Sequence, residues 1–268
     1  MKHITKSLPP RELNDYFESF PDATWDQMRD DNSQGGYAAA HACRNRAILD
    51  QKGLCAYCEQ KISSADPLHS RVEHFHKKSD RSGEHNWDLD WENMLAVCDG
   101  GNRTEKGERQ VFPLPANLSC DAHKDHMSNI GKLPVDCEGH LLNPLDSPAF
   151  PNVFALEKDT GVLKADVDVC DTVEIPGYEQ ISTVELVRQT IAVLNLNCDR
   201  LLEKRLLLIR NINRNKKELR KRNIHPSDAS VKLAQRYFQA QWPEFFTTIR
   251  CFLGSTAEDY LNHINYHG

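Results

Sequence analysis

The sequence predicts an α+β chain that is mostly helical, with a small metal-stapled centre between N-terminal helices and a C-terminal helical region. Helical apolar spacing dominates both ends, whereas from Cys55 to about Cys137 it gives way to His, Cys, Asp and Gly with little regular period. A middle of that texture cannot bury much core by itself, so a bound ion is expected to cross-link it. The expected organisation is an N-terminal helical segment over 1–52, the metal-stapled core over 53–137, an irregular short-strand segment over 138–181, and a helical region with a basic stripe over 182–268.

From Arg11 to about Lys52 the chain reads as helix, interrupted by the polar loop from Asp30 to Gly36. The stretch from Tyr37 to Gln51 lacks Pro and Gly and is rich in Ala and Arg, which suit a helix, and Gly53 ends it. Val153 to Glu157 and Gly161 to Ala165 read as a hairpin around Lys158-Asp159-Thr160. From Ser182, Val184, Leu186, Val187, Ile191 and Leu194 mark one apolar helix face. Leu201, Leu202, Leu206, Leu208, Ile209 and Ile212 mark a second. A last helical region runs from Ser227 to Phe252, broken at Trp242-Pro243, with Phe238, Trp242, Phe245 and Phe246 as core.

The chain has 268 residues and a formal charge of -6. No apolar run approaches the ~20 residues of a membrane span, and MKHITKSLPPRELNDY has no signal-like apolar core, so a cytoplasmic protein is expected. A reducing compartment disfavours structural disulfides, which makes closely spaced cysteines metal-ligand candidates. Cys43, Cys137, Cys170, Cys198 and Cys251 have no close partner and read as ordinary thiols. Net acidity argues against whole-protein attraction to nucleic acid, yet from Arg200 to Arg222 only Glu203 and Glu218 oppose a run of Lys and Arg. That stripe, with Arg214, Lys217 and Lys221 as its test positions, is either a solvated helix face or a local phosphate track.

Cys55-Ala56-Tyr57-Cys58 offers two thiolates at the spacing that grips one tetrahedral zinc ion from a tight turn. A redox dithiol would call for a preceding strand, and here a helix precedes it. Cys98 and Cys120 are the candidates for the other two ligands. Between the half-sites lie Glu73-His74, in Arg71-Val72-Glu73-His74-Phe75-His76-Lys77-Lys78, and Asn93, in Trp91-Glu92-Asn93-Met94. Cys120-Asp121-Ala122-His123-Lys124 follows. An acid-His pair, an Asn after an aromatic-rich turn and a polar residue beyond a ligand cysteine form one constellation.

The segments LCAYCEQKI, VEHFHKKS, WENMLAVCDGGN and CDAHK resemble the HNH endonucleases, which share a ββα-metal fold. More specifically they are similar to the HNH family of the Septu-type anti-phage effector PtuB, including its retron-associated members. The resemblance is strongest from Gln51 to Lys124. It implies a structural zinc on Cys55, Cys58, Cys98 and Cys120, and His74 as the general base, an imidazole with an ordinary pKa of about 6.5. It implies one catalytic Mg²⁺ or Mn²⁺ held by Glu73 and by Asp121, with His123 as the nearby competitor. Asn93 would hold the loop carrying the base, and Lys124, Lys77 and Lys78 would meet phosphate.

One departure is that Cys98-Asp99-Gly100-Gly101 lacks the second cysteine of a compact half-site. Reaching Cys120 then means crossing an insertion with Arg103, Lys106 and Arg109; otherwise Asn102 takes the place of Asp121. The resemblance further implies a nucleic-acid substrate, DNA before RNA, and a PtuA-like ATPase of the ABC/SMC type as partner. In retron-associated members the partners include a reverse transcriptase and its msDNA. The competing reading is a zinc-stabilised binding module with a degenerate core. His76 is expected at the surface, and His85 and His126 outside the chemistry.

Overall fold

A computed structural model describes residues 1–63, 68, 70–103, 106–134 and 137–268. Three helices come first: α1 (Arg11–Ser19), α2 (Trp25–Asp30) and α3 (Gly36–Asp50). Thr24 starts α2 with a reciprocal capping box, its hydroxyl accepting from Gln27 N while the Gln27 side chain accepts from Thr24 N. Gly36 opens α3 at a crowded point, where a Cβ would come within 2.3 Å of the Met28 carbonyl. The expected interruption from Asp30 to Gly36 is the turn between α2 and α3.

The central sheet is one antiparallel pair, β1 (Ser70–His74) and β2 (Met94–Cys98), with His74 opposite Met94 and Ser70 opposite Cys98. All five β2 residues are buried. α3 lies against both strands, and its C-cap residue Gln51 acts as a surrogate strand. Its Oε1 accepts from Ala96 N at 2.8 Å, while its Nε2 donates to Ala96 O at 2.6 Å and Leu54 O at 2.8 Å.

The expected insertion contains α4 (Lys106–Val111), and then α5 (Cys120–Asn129) packs on β2. The Lys106 side chain lies outside the described residues. Gly100, at φ +64°, admits α5 to the end of β2; a Cβ there would stand 2.3 Å from Ser119 O and 2.6 Å from Ala122 Cβ.

The expected hairpin is β3 (Phe154–Leu156) paired with β4 (Leu163–Ala165). After the one-turn α6 (Val167–Cys170), Ser182 caps α7 (Thr183–Val193). The turn that follows reaches back to the centre, as Cys120 N donates to Leu194 O at 2.8 Å and Asn195 Nδ2 to Leu118 O at 2.8 Å. α8 (Asp199–Lys221) carries the basic stripe, and α9 (Pro226–Phe238) begins with Pro226 in its first turn. The break at Trp242-Pro243 leads into α10 (Phe246–Leu253) and then α11 (Ser255–His263). Among the described residues no helix is long and apolar enough to cross a membrane.

Two apolar clusters result. One runs from Met1 through the sheet to Leu201 and takes in Phe245; the other gathers α8 to α11 around Leu54, Phe238 and Phe246. The stripe is not uniform. Arg214, Lys217 and Lys221 are exposed, whereas Arg200 and Arg205 are buried at 5% and 1% exposure.

Replacing Gln51 with Ala removes the acceptor of a buried N–H and the donor to Leu54 O. Each such loss costs roughly 1–3 kcal/mol, so Gln51→Ala is expected to lower unfolding free energy by about 2–4 kcal/mol. Urea denaturation of the full chain measures this, and an unchanged midpoint would show that β2 does not depend on the Gln51 amide.

Candidate active site and metal centre

The sequence brings four sulfur atoms together from three places. Cys55 and Cys58 lie in the turn between α3 and β1, Cys98 ends β2, and Cys120 begins α5. The Sγ atoms stand 3.8 Å apart for Cys55–Cys120, 3.6 Å for Cys58–Cys98 and 3.8 Å for Cys98–Cys120. All four are buried and lie within 4.8 Å of one another. A disulfide would need about 2.05 Å, whereas the edge of a zinc–thiolate tetrahedron with bonds of roughly 2.3 Å is about 3.8 Å. Four buried thiols cannot all ionise unaided. Burial opposes the Cys55 thiolate, but the neighbouring Cys120, Cys58 and Cys98 thiols hold its pKa well below the ordinary thiol range. Cys120 is pushed well above its own range by burial and by Cys55. The donor set fits a tetrahedral thiophilic ion such as zinc.

The same elements build a cleft of about 690 Å³ on the other side of the hairpin. β1 ends on Glu73-His74. From α5, Asp121 and Lys124 project on one face, three residues apart. His74 is buried, edge-on to Trp25 at 5.2 Å. Its Nε2 lies 3.0 Å from the Asp88 carbonyl, which can only accept, so Nε2 carries the proton and Nδ1 is the basic nitrogen. Burial holds its pKa down to about 4, which keeps the imidazole neutral at cellular pH.

Asn93 pins the loop after β1. Its Oδ1 accepts from His76 N at 2.7 Å, and its Nδ2 donates to His76 O at 3.0 Å and Trp87 O at 2.9 Å.

Glu73 and Asp121 are a buried carboxyl pair. Burial and the facing Glu73 carboxylate push Asp121 well above the usual carboxylic range, with Arg71 Nη1, 3.4 Å away, acting against the rise. A hard cation between two such oxygens would relieve that repulsion, so the donor set fits Mg²⁺ or Mn²⁺. Of the three residues considered as partner to Glu73, Asp121 lines the cleft. His123 turns toward α7, its Nδ1 2.7 Å from Val193 O, and Asn102 sits in the insertion turn, where its carbonyl accepts from Arg109.

Lys124 differs from the phosphate contact expected of it. It is buried, and its three N–H donors go to Glu73 Oε1 at 2.5 Å, His74 O at 3.1 Å and Phe75 O at 2.6 Å. It is an internal cation fastening α5 to the end of β1. Lys77 and Lys78 do line the cleft, Lys78 with an ion pair to Asp26 at 3.0 Å. His76, expected at the surface, is buried between Asp80 and Glu138 and stacks on Trp87 at 3.9 Å.

Sequence reasoning missed the cleft's far wall, made by Trp25, Arg29, Tyr37, His41 and Arg44 of α2 and α3. It also missed Arg71, although strand alternation puts it on the Glu73 face.

No family model matches the chain. It is 37% identical over 254 residues, 93% of its length, to the Escherichia coli protein named "Retron Ec83 putative HNH endonuclease", of which the match covers 92%. With an acid-His pair ending a strand, an Asn pinning the following loop and a four-thiol cluster beneath them, the chain belongs to the HNH endonucleases and is a nuclease.

Proposed function

We propose that this nuclease is metal-dependent, acts on DNA in preference to RNA, and is the effector arm of a cytoplasmic anti-phage complex. The observation that carries the chemistry is the meeting of the basic nitrogen of His74 with the Glu73–Asp121 carboxyl pair in one cleft. His74 Nδ1 takes the proton from a water whose oxygen attacks phosphorus; the P–O bond to the leaving oxygen breaks, and that oxygen takes a proton from solvent water to leave as the alcohol. Asn93 keeps the loop after the base in place, so the base does not drift when substrate enters. Glu73 and Asp121 hold a single Mg²⁺ or Mn²⁺. That ion, when bound, neutralises charge on the phosphate and on the leaving oxygen. Lys77 and Lys78 at the cleft, and Arg214, Lys217 and Lys221 on exposed α8, attract the backbone without reading sequence.

The retron in the relative's name supports a setting with a reverse transcriptase and its msDNA. The Septu resemblance supports a PtuA-like ATPase of the ABC/SMC type. The four thiols hold a structural zinc, separate from the catalytic ion.

The test is incubation of the purified protein, alone and with its partners, with labelled plasmid DNA and total RNA under Mg²⁺, Mn²⁺ or EDTA. DNA cleavage that needs the ion and falls by roughly 10²–10⁴ in His74→Ala is expected. Cleavage of RNA alone would reassign the substrate, and cleavage indifferent to His74→Ala would overturn the assignment of the base. For the thiols, elemental analysis of the purified chain is expected to find zinc, and Cys98→Ser to lose it. Structural zinc contributes on the order of 10–16 kcal/mol of apparent folding energy, as much as a whole domain's stability of about 5–15 kcal/mol. Cys98→Ser is therefore expected to lose its cooperative thermal transition. A sharp melt at the parent's temperature would contradict this.

A further inference from the structure

Two guanidinium groups of α8 are buried with only neutral hydrogen-bond partners among the described residues. Arg200 Nη1 donates to Gln60 Oε1 at 3.0 Å and its Nη2 to Ser119 Oγ at 2.7 Å. Arg205 Nη1 donates to Gly161 O at 3.0 Å and Asn197 Oδ1 at 3.2 Å, and its Nη2 to Leu196 O. The Nε of Arg200 is buried without any partner. A buried cation with no anion is strongly disfavoured, so a compensating negative charge is called for. The buried carboxylate of this region, Glu59, lies near enough to favour the Arg205 cation but hydrogen-bonds neither arginine, which leaves Arg200 as the guanidinium without a carboxylate. Glu59 accepts from Thr247 N at 2.8 Å and Thr247 Oγ1 at 2.6 Å, and faces the Met1 amine at 3.6 Å.

The surroundings of Arg200 indicate where the charge lies. Gln60 is two residues after Cys58, and its Oε1 also stands 3.8 Å from Cys58 Sγ. Ser119 immediately precedes Cys120. Gly101, three residues after Cys98, approaches the guanidinium so closely that a Cβ would stand 3.1 Å from Nε and 3.2 Å from Nη2. The guanidinium is thus enclosed by the flanks of three of the four thiols. A divalent ion on four thiolates retains two negative charges, and the enclosed Arg200 guanidinium supplies a positive charge beside them.

We propose that Arg200, backed by Arg205, is the resident counter-cation of the four-thiolate centre. It offsets the centre's residual charge, tightens its hold on the ion and keeps the sulfurs unreactive. This rests on the zinc reading, and it removes Arg200 and Arg205 from the nucleic-acid stripe.

The test uses the full chain and follows transfer of zinc to a chromogenic chelator, together with alkylation of the cysteines by N-ethylmaleimide. Partners around metal ligands typically change affinity by about 10–100-fold, so Arg200→Gln is expected to release zinc at least about tenfold faster and to alkylate sooner. Arg200→Lys, which keeps the charge, is expected to stay within about threefold of the parent, and Arg214→Gln on the exposed face to match the parent. Release from Arg200→Gln as slow as from Arg214→Gln would overturn the proposal. So would Arg200→Lys releasing as fast as Arg200→Gln, since shape and not charge would then be what counts. Should Arg200→Gln not accumulate as folded protein, Arg200→Lys decides the matter: release near the parent's rate supports the proposal and tenfold acceleration overturns it. A parent chain that binds no zinc sinks the zinc reading itself, whereas a zinc-loaded parent with an indifferent Arg200→Gln sinks only the counter-cation.

Discussion

Four sulfur atoms drawn from three separated stretches of chain come within one ion's reach, and the placement of the groups that line the cleft follows from that constraint. Cys98 is the last residue of β2 and Cys120 the first of α5. Joining them sets the helix against the hairpin, whose short strands could not hold it by apolar burial alone. With α5 set, Asp121 and Lys124 face Glu73 from across the gap. Joining Cys55 and Cys58 to the same point draws the end of α3 onto β2, where Gln51 completes the edge hydrogen bonds. The N-terminal helices then become the far wall of the cleft. The thiols stand apart from the cleft, yet the elements they join carry the side chains that line it.

Charge inside the cleft is arranged in a similarly indirect way. Two carboxyls, Glu73 and Asp121, meet in a buried place, and a lone pair of that kind would keep a proton and lose its value as a cation site. Lys124 and Arg71 temper this from opposite sides, Lys124 on Glu73 at 2.5 Å and Arg71 on Asp121 at 3.4 Å. Because Lys124 also donates to the carbonyls of His74 and Phe75, one ammonium orients the acid and the backbone of the base together. Among the described residues the His74 imidazole hydrogen-bonds no carboxylate: the Asp88 carbonyl fixes its tautomer, and burial, acting against that contact, keeps it neutral.

Much of this was legible in the amino-acid order. The helical opening with its interruption at Asp30–Gly36, the Val153–Ala165 hairpin and the breaks at Gly53 and Trp242-Pro243 follow from breakers and periodicity, which act locally, whereas the further break between α1 and α2 went unread. Cys98 and Cys120 were legible as the remaining candidates because they lie next to the segments that carry Asn93 and Asp121. The fate of Lys124 was not, since a lysine beside a catalytic motif reads as a phosphate contact unless one knows that β1 ends with two carbonyls pointing at it. His76 misled for the same reason: its burial depends on Trp87, Asp80 and Glu138, none of which its own neighbourhood announces. The far wall of the cleft escaped because helix patterning reveals which residues face the core, and Tyr37 and His41 do not.

The basic run on α8 reads as one feature by composition and divides into two by burial. Helix α8 makes the division natural: Arg200 and Arg205 lie on its first turns, buried against Ser119, Gly161 and Asn197, while Arg214, Lys217 and Lys221 lie beyond, where the helix meets solvent. A chain of net charge -6 gains little nucleic-acid affinity from its average, so what attraction it has must come from such local exposed groups. The buried pair has a different consequence. Because Arg200 hydrogen-bonds Gln60 and Ser119 and abuts Gly101, the start of the long α8 is fastened to the chain beside Cys58, Cys98 and Cys120, so the elements carrying Glu73 and Asp121 and the C-terminal helices share one anchoring point.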